Sequence, residues 1–228
     1  MLNPPTPLNF PMRQLILDLL PDSPPSLDNF VAGGNGETLA ALTGWLAGVW
    51  PDTSFCLVGE PSSGRSHLLL ASDFCYADAA ANPSLDGVSG EAALAVDNVD
   101  RLDAAGQVAL FALFNQIKAG GGRLLTAAPQ PPAHLALRED LRTRLGSGLI
   151  YRLRPLTDAE KAAAIAAQAS ERALRLPPEI IAYLLRHAAR DMRALSALVV
   201  ALDRYTLEQK RPVTLPLLRE LLTMENGA

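Results

Sequence analysis

Apolar positions along this chain change their spacing about two thirds of the way through. The first part alternates short unbroken apolar runs with stretches of helical period. Residues 54–58 (SFCLV) read as a buried strand that breaks into Gly59, and Ser66–Ala71 should begin a helix. A second strand is expected near Phe74–Ala77, a loop over 82–90, and a third strand over 93–97 (ALAVD) that ends in an acid. Residues 104–119 carry an amphipathic helical pattern closed by Gly120, Gly121 and Gly122. Further strands are expected over 123–127 and 149–153, separated by the proline break at 129–132 and a helix over 135–145. A helix over 37–50 precedes all of these and stops before Pro51.

After Pro155 the strand-like runs cease. Thr157 to Glu160 has the form of a capping box, and helices are expected over 158–173, 178–188, 190–209 and 214–223. Strands alternating with helices and then helices alone imply an α/β domain followed by a small all-α domain. The N-terminal arm is different again, with seven prolines in the first 27 residues. Within it Gln14-Leu15-Ile16-Leu17-Asp18-Leu19 alternates as a strand would. The expected division is an extended arm over 1–25, an α/β domain over 26–154 and a helical domain over 155–228.

Composition narrows the class. Of the 228 residues 49% are hydrophobic and 19% charged, enough to form a core and too apolar for a disordered chain. No apolar run approaches the ~20 residues of a membrane span, and the first residues lack the form of a signal peptide. Cys56 and Cys75 make no metal spacing and read as two buried free thiols of a cytoplasmic protein. His67, His134 and His187 share no ligand spacing. Trp45, Trp50, Phe111 and Phe114 fall on helical faces and read as core. The net charge of −4 disfavours nucleic acid as a direct ligand. Residues 151–228 nevertheless hold 12 Lys and Arg against 9 Asp and Glu, so the C-terminal part could face an anion.

The central motif is Gly59-Glu60-Pro61-Ser62-Ser63-Gly64-Arg65-Ser66. It fits the phosphate-loop spacing with Arg65 in place of lysine. Glycines let backbone N–H groups turn around phosphate oxygens, and the following helix aims its positive end at the same anion. Ser66 could reach a magnesium ion. Asp97, at the end of an apolar strand, is the type of acid that holds that ion through water. A glycine turn and a capping aspartate are the plainer accounts of each motif alone. For Gln14–Leu19 an edge strand competes with an extended ligand that seats Leu15, Leu17 and Leu19 in a groove while Gln14 hydrogen-bonds. Arg142 and Arg144, and Arg190 and Arg193, read by default as solvated helix faces.

In this order the motifs resemble the AAA+ nucleotide-binding family, in its DnaA-related branch, over about residues 13–222. The resemblance implies a parallel sheet with helices on both faces and a helical lid. Ser26–Val31, with Asn29, Phe30 and Val31, is similar to the segment near the base. Gly59, Ser63, Gly64, Arg65, Ser66 and His67 are similar to the phosphate loop, and Val96-Asp97-Asn98 to the strand bearing the magnesium-binding acid. By the same resemblance Arg144 corresponds to the arginine finger and Arg193 to the lid arginine that senses nucleotide. Gln14, Leu15, Leu17 and Leu19 resemble a sliding-clamp-binding motif.

Three departures point away from hydrolysis by this chain's own site. The segment from Ser66 to Asp97 is short, Thr126-Ala127-Ala128-Pro129 lacks the polar residue that orients water, and Asn98 stands where a second acid is usual. The implied cofactor is ADP or another nucleotide, with Mg2+ where an ion is bound. The implied partners are the DNA-loaded sliding clamp and DnaA, with DNA met only indirectly, no membrane, and a homodimer compatible with the family. The expected function is a regulatory adaptor in which Arg144 promotes hydrolysis of DnaA-bound ATP, lowering initiation of replication. The lid is expected to close the chain, with no helix-turn-helix domain behind it. Two alternatives stay open: an autonomous ATPase of the helicase-loader type, and a clamp-binding module with a vestigial nucleotide site.

Overall fold

The computed structural model describes residues 24–90, 92–187, 191–209, 212–216 and 218. They divide into two compact units at Leu156/Thr157. The first holds α1 (Gly36–Leu46), β1 (Ser54–Gly59), α2 (Arg65–Leu70), β2 (Cys75–Asp78), β3 (Ala93–Asp97), α3 (Ala104–Ala119), β4 (Arg123–Ala128), α4 (Glu139–Gly146) and β5 (Leu149–Leu153). The strands form one parallel sheet in the order β2-β3-β4-β1-β5.

Unbroken apolar runs make this sheet because both of its faces are covered. Alternate residues of each strand serve opposite cores. Leu94, Val96 and Leu124 pack against Leu110, Phe114 and Ile117 of α3 and Leu141 and Leu145 of α4. Ala95, Leu125, Phe55, Leu57 and Leu153 pack on the other side against Ala41, Leu42 and Trp45 of α1 and Leu68 and Leu69 of α2. Each such leucine is worth about 1.5–3 kcal/mol when fully buried, so the two faces hold the strand ends in fixed register.

Helix α1 ends four residues before the expected position. Gly48, at φ +84°, closes it. The Gly48 N–H donates to Trp45 O at 3.1 Å and the Val49 N–H to Gly44 O at 3.0 Å, the paired bonds of a Schellman turn. Trp50 therefore lies beyond the helix, half-buried against the α1 core. Helix α4 also starts later than its apolar pattern suggested. Leu135 and Leu137 are buried, but in non-helical chain after the turn at Pro132–His134. Cys56 is buried as expected, whereas Cys75 is exposed on the edge strand β2.

The second unit contains α5 (Asp158–Glu171), α6 (Pro178–His187) and α7 (Met192–Gln209). Thr157 caps α5: its Oγ1 accepts from the Glu160 N–H at 3.2 Å, and Glu160 Oε2 accepts from the Thr157 N–H at 2.8 Å. Asp191 caps α7 through the Ala194 N–H at 2.8 Å. Ile165, Ile180, Leu184, Leu195, Val199 and Leu202 form the core of this unit. No helix among the described residues is long and apolar enough to cross a membrane.

Candidate functional site

The phosphate-loop sequence occupies the turn from β1 to α2. Gly59 is required there, since a Cβ would lie 2.6 Å from both Leu153 O and Ser63 Oγ. Ser62 (φ 62°) and Gly64 (φ 95°) adopt left-handed backbone, which turns the loop back on itself. The Ser63 N–H closes it onto Glu60 O at 3.2 Å, and the Leu68 N–H to Gly64 O begins the helix at 3.1 Å. Ser63 is 5% exposed. Its Oγ and Nη1 of Arg65 are buried with no hydrogen-bond partner. Orphaned buried donors are costly and rare, and both belong to a loop curled for an anion. The residues present fit a phosphate group.

Arg65 also reaches electrostatically to Cys56 on β1. Burial pushes the Cys56 thiol up to about 11, against the smaller lowering effects of the Thr126 hydrogen bond and the Arg65 charge. Thr126 is fully buried, and its hydroxyl faces Phe55 O at 3.5 Å, toward the sheet backbone.

The segment before α1 is fastened onto the loop. His67 Nε2 lies 2.9 Å from Ser26 O, and the Phe30 and His67 rings are 5.4 Å apart. Phe30 presses on Gly64 so closely that a Cβ there would meet its Cε2 at 2.6 Å. Ser26 and Asn29 bond each other, and Asn29 Nδ2 donates to Pro24 O at 2.9 Å. Asn29, Phe30 and Val31 are thus carried on a turn that is stapled to the loop. Asn35 extends the fastening: its side chain donates to Arg154 O at 2.9 Å and accepts from the Arg154 N–H at 2.8 Å.

Asp97 ends β3 and is 1% exposed. Its Oδ1 accepts from the Asn98 N–H at 2.8 Å and its Oδ2 from the Tyr76 hydroxyl at 3.3 Å. Register places it beside Asp78 of β2. Burial, then the charges of Asp97 and Asp78, push the Tyr76 phenol far above its ordinary range. Tyr76 and Asp78 were missed in the sequence because they become neighbours of Asp97 only through strand pairing. Ser66, exposed on the first turn of α2, and Asp97 carry oxygen donors of the hard type that would suit Mg2+. Among the described residues no cluster of three His, Cys, Asp or Glu side chains is placed to hold a metal ion alone.

Arg144 stands exposed near the C-terminal end of α4. Leu141 and Leu145 on the same helix are buried and fix which side of it faces the core. The nearby Arg138 pairs with Asp140 at 2.8 Å, whereas the Arg144 guanidinium joins no ion pair among the described residues. Arg193 is exposed on the first turn of α7 in the second unit. Gln14, Leu15, Leu17, Leu19 and Arg190 lie outside the described residues.

A five-stranded parallel sheet in this order, with a glycine loop after β1 and a helical second unit, is the architecture of the AAA+ fold. Solved structures agree at the level of fold. Domain III of DnaA from Thermotoga maritima matches with a TM-score of 0.63 at 18% identity, over 84% of this chain and 92% of that one. A replication initiator DnaA bound to AMPPCP and single-stranded DNA matches with a TM-score of 0.64 at 19% identity, over 85% and 69%. A RuvB mutant from Thermotoga maritima matches with a TM-score of 0.59 at 17% identity, over 88% and 72%. Residues 158–222 match the family model of the Hda lid domain. The chain thus has the fold of these AAA+ structures, and its helical second unit is similar to the lid of the Hda family.

Proposed function

We propose that this protein is a replication regulator that holds a nucleotide in its own phosphate loop and lends Arg144 to the ATP site of a DnaA subunit. The observation that carries the reading is the exposed Arg144 at the end of α4, in a molecule whose own loop is built for an anion. Gly59, Ser63, Gly64, Arg65 and Ser66 would cradle the phosphates, Asp97 and Ser66 would hold Mg2+, and the Asn29–Val31 turn with His67 would flank the base. ADP suits such a site, because Asn98 stands where a second acid would activate water. Arg193 would sense the nucleotide from the lid.

A cation inserted at a partner's γ-phosphate stabilises the charge that develops as the bond to the β-phosphate breaks. Fingers supplied in this way accelerate hydrolysis by roughly 10³–10⁵. The partner's ATP becomes ADP and initiation falls. Gln14, Leu15, Leu17 and Leu19 would tether the protein to the sliding clamp on DNA, raising its local concentration near DnaA. This is an activity of the cytoplasm.

The test combines clamp, DNA and ATP-loaded DnaA with the purified protein. Arg144→Ala should bind the clamp and leave the partner's hydrolysis unstimulated. Gln14→Ala should lose both clamp binding and stimulation. Normal stimulation by Arg144→Ala overturns the finger assignment. An unchanged melting temperature in excess ADP removes the nucleotide site, since a ligand at 100 times its Kd should stabilise by about 2.7 kcal/mol.

A further inference from the structure

Position 98, where an acid would serve a hydrolytic site, is bonded at both ends to other acids. The Asn98 N–H donates to Asp97 Oδ1 at 2.8 Å, and its side-chain Nδ2 donates to Asp78 Oδ1 at 2.8 Å. Asp78 Oδ1 also accepts from the Ala80 N–H at 2.9 Å, and the Tyr76 hydroxyl donates to Asp97 Oδ2 at 3.3 Å. Asn98 reaches both strands because its backbone is left-handed, at φ 53° and ψ 45°. Asparagine tolerates that region better than most residues.

The two carboxylates sit at adjoining ends of paired strands, and neither joins an ion pair within 4 Å among the described residues. Like charges so placed need donors to hold them together. We infer that Asn98 is a positioning residue: its neutral amide clamps Asp78 of β2 to Asp97 of β3 and fixes the carboxylate that faces the nucleotide. Its meaning for the nucleotide rests on the function proposed above; the clamp itself does not. The side-chain N–H of residue 98 is committed to Asp78 of β2. Replacing it by aspartate places a third carboxylate against two others and does not rebuild a hydrolytic site. The loop is kept for holding a nucleotide.

Exchange of the two partners tests this in the full chain. Asn98→Asp should lower the melting temperature by roughly 4 °C, and Asp78→Asn should lower it as well. The double variant reverses the direction of the same hydrogen bond and should regain at least half of the Asn98→Asp loss. Asn98→Asp should release no more phosphate from ATP than the wild type. In Asn98→Ala the Mg2+ concentration that gives half of the ADP-induced stabilisation should rise about ten-fold, because the carboxylate loses its orienting partner. The inference is overturned if Asn98→Asp melts with the wild type, if the two losses simply add in the double variant, if Asn98→Asp gains ATP turnover, or if the Mg2+ requirement of Asn98→Ala is unchanged. Failure of ADP to shift the wild type would instead defeat the nucleotide reading, and the exchange of partners would still decide the clamp.

Discussion

Gly64→Ala probes the loop most directly. Gly64 holds φ at +95°, and an added Cβ would lie 2.6 Å from Cε2 of Phe30 and 3.3 Å from its Cζ. The left-handed backbone alone costs an alanine about 1–2 kcal/mol. The clash adds to this, because the ring must leave its place against the loop. Phe30 is half-buried and touches His67, so surrendering that contact costs on the order of 1 kcal/mol. The sum is about 2–3 kcal/mol, or roughly 5–10 °C in melting temperature for a unit of this size. Displacement of Phe30 also pulls the Asn29–Val31 turn from the loop, so fluorescent ADP should bind at least ten-fold more weakly. Gly36→Ala is the control: nothing lies within 4 Å of its Cβ position and its backbone is helical. Melting with and without ADP checks both variants. If Gly64→Ala melts within about 1 °C of the wild type, the strain argument is wrong. If it melts low but binds ADP fully, the turn takes no part in holding nucleotide.

Other expected outcomes concern the cap, the thiols and the finger. Thr157→Ala removes one half of the capping box and should cost about 1 kcal/mol, read as faster amide exchange across α5 with the α/β unit unchanged. Iodoacetamide at pH 8 should alkylate the exposed Cys75 and spare Cys56, whose thiol is buried and pushed up to about 11. Because folding raises the Cys56 value from its ordinary 9.0, that thiol's contribution to stability is complete below pH 9 and is lost as pH rises toward about 11. Denaturant titrations should show that decline, and Cys56→Ala should flatten it. Arg144→Ala should leave stability within about 0.5 kcal/mol of the wild type, as expected for an exposed side chain outside the core.

Much of the fold was legible because its signals are local. Asp103, whose Oδ1 accepts from the Gly106 N–H at 2.8 Å, and the glycines after Ala119 bound α3 at the residues the pattern predicted. The strand runs stood out because a parallel sheet covered on both faces leaves no polar alternation to blur them. Errors arose where one residue's backbone outweighed the pattern around it. Gly48 ends α1 early although apolar spacing continues to Trp50. Leu135 and Leu137 keep helical spacing with the residues that follow, yet the extended backbone at Leu135 (ψ 148°) and Arg138 (ψ 143°) holds that stretch out of the helix. Cys75 looked like a core thiol because its neighbours are apolar. Strand β2 is an edge of only four residues, and its first two side chains, Cys75 and Tyr76, are left uncovered.

The site divides in the same way. A phosphate loop is written in consecutive residues, since glycines, hydroxyls and a cation must follow one another along a single turn. Its orphaned Ser63 and Arg65 atoms are the structural counterpart of that spacing. The acid end of the site is written across strands. Tyr76, Asp78, Asp97 and Asn98 lie on two elements, and only the β2–β3 register makes them partners. Sequence spacing showed that position 98 lacks an acid, which is a statement of loss. Pairing shows what the asparagine holds, and that changes the argument. A missing base could be restored by one substitution, whereas a donor shared by two carboxylates resists it, because every acid placed there must first displace a hydrogen bond that keeps like charges in place.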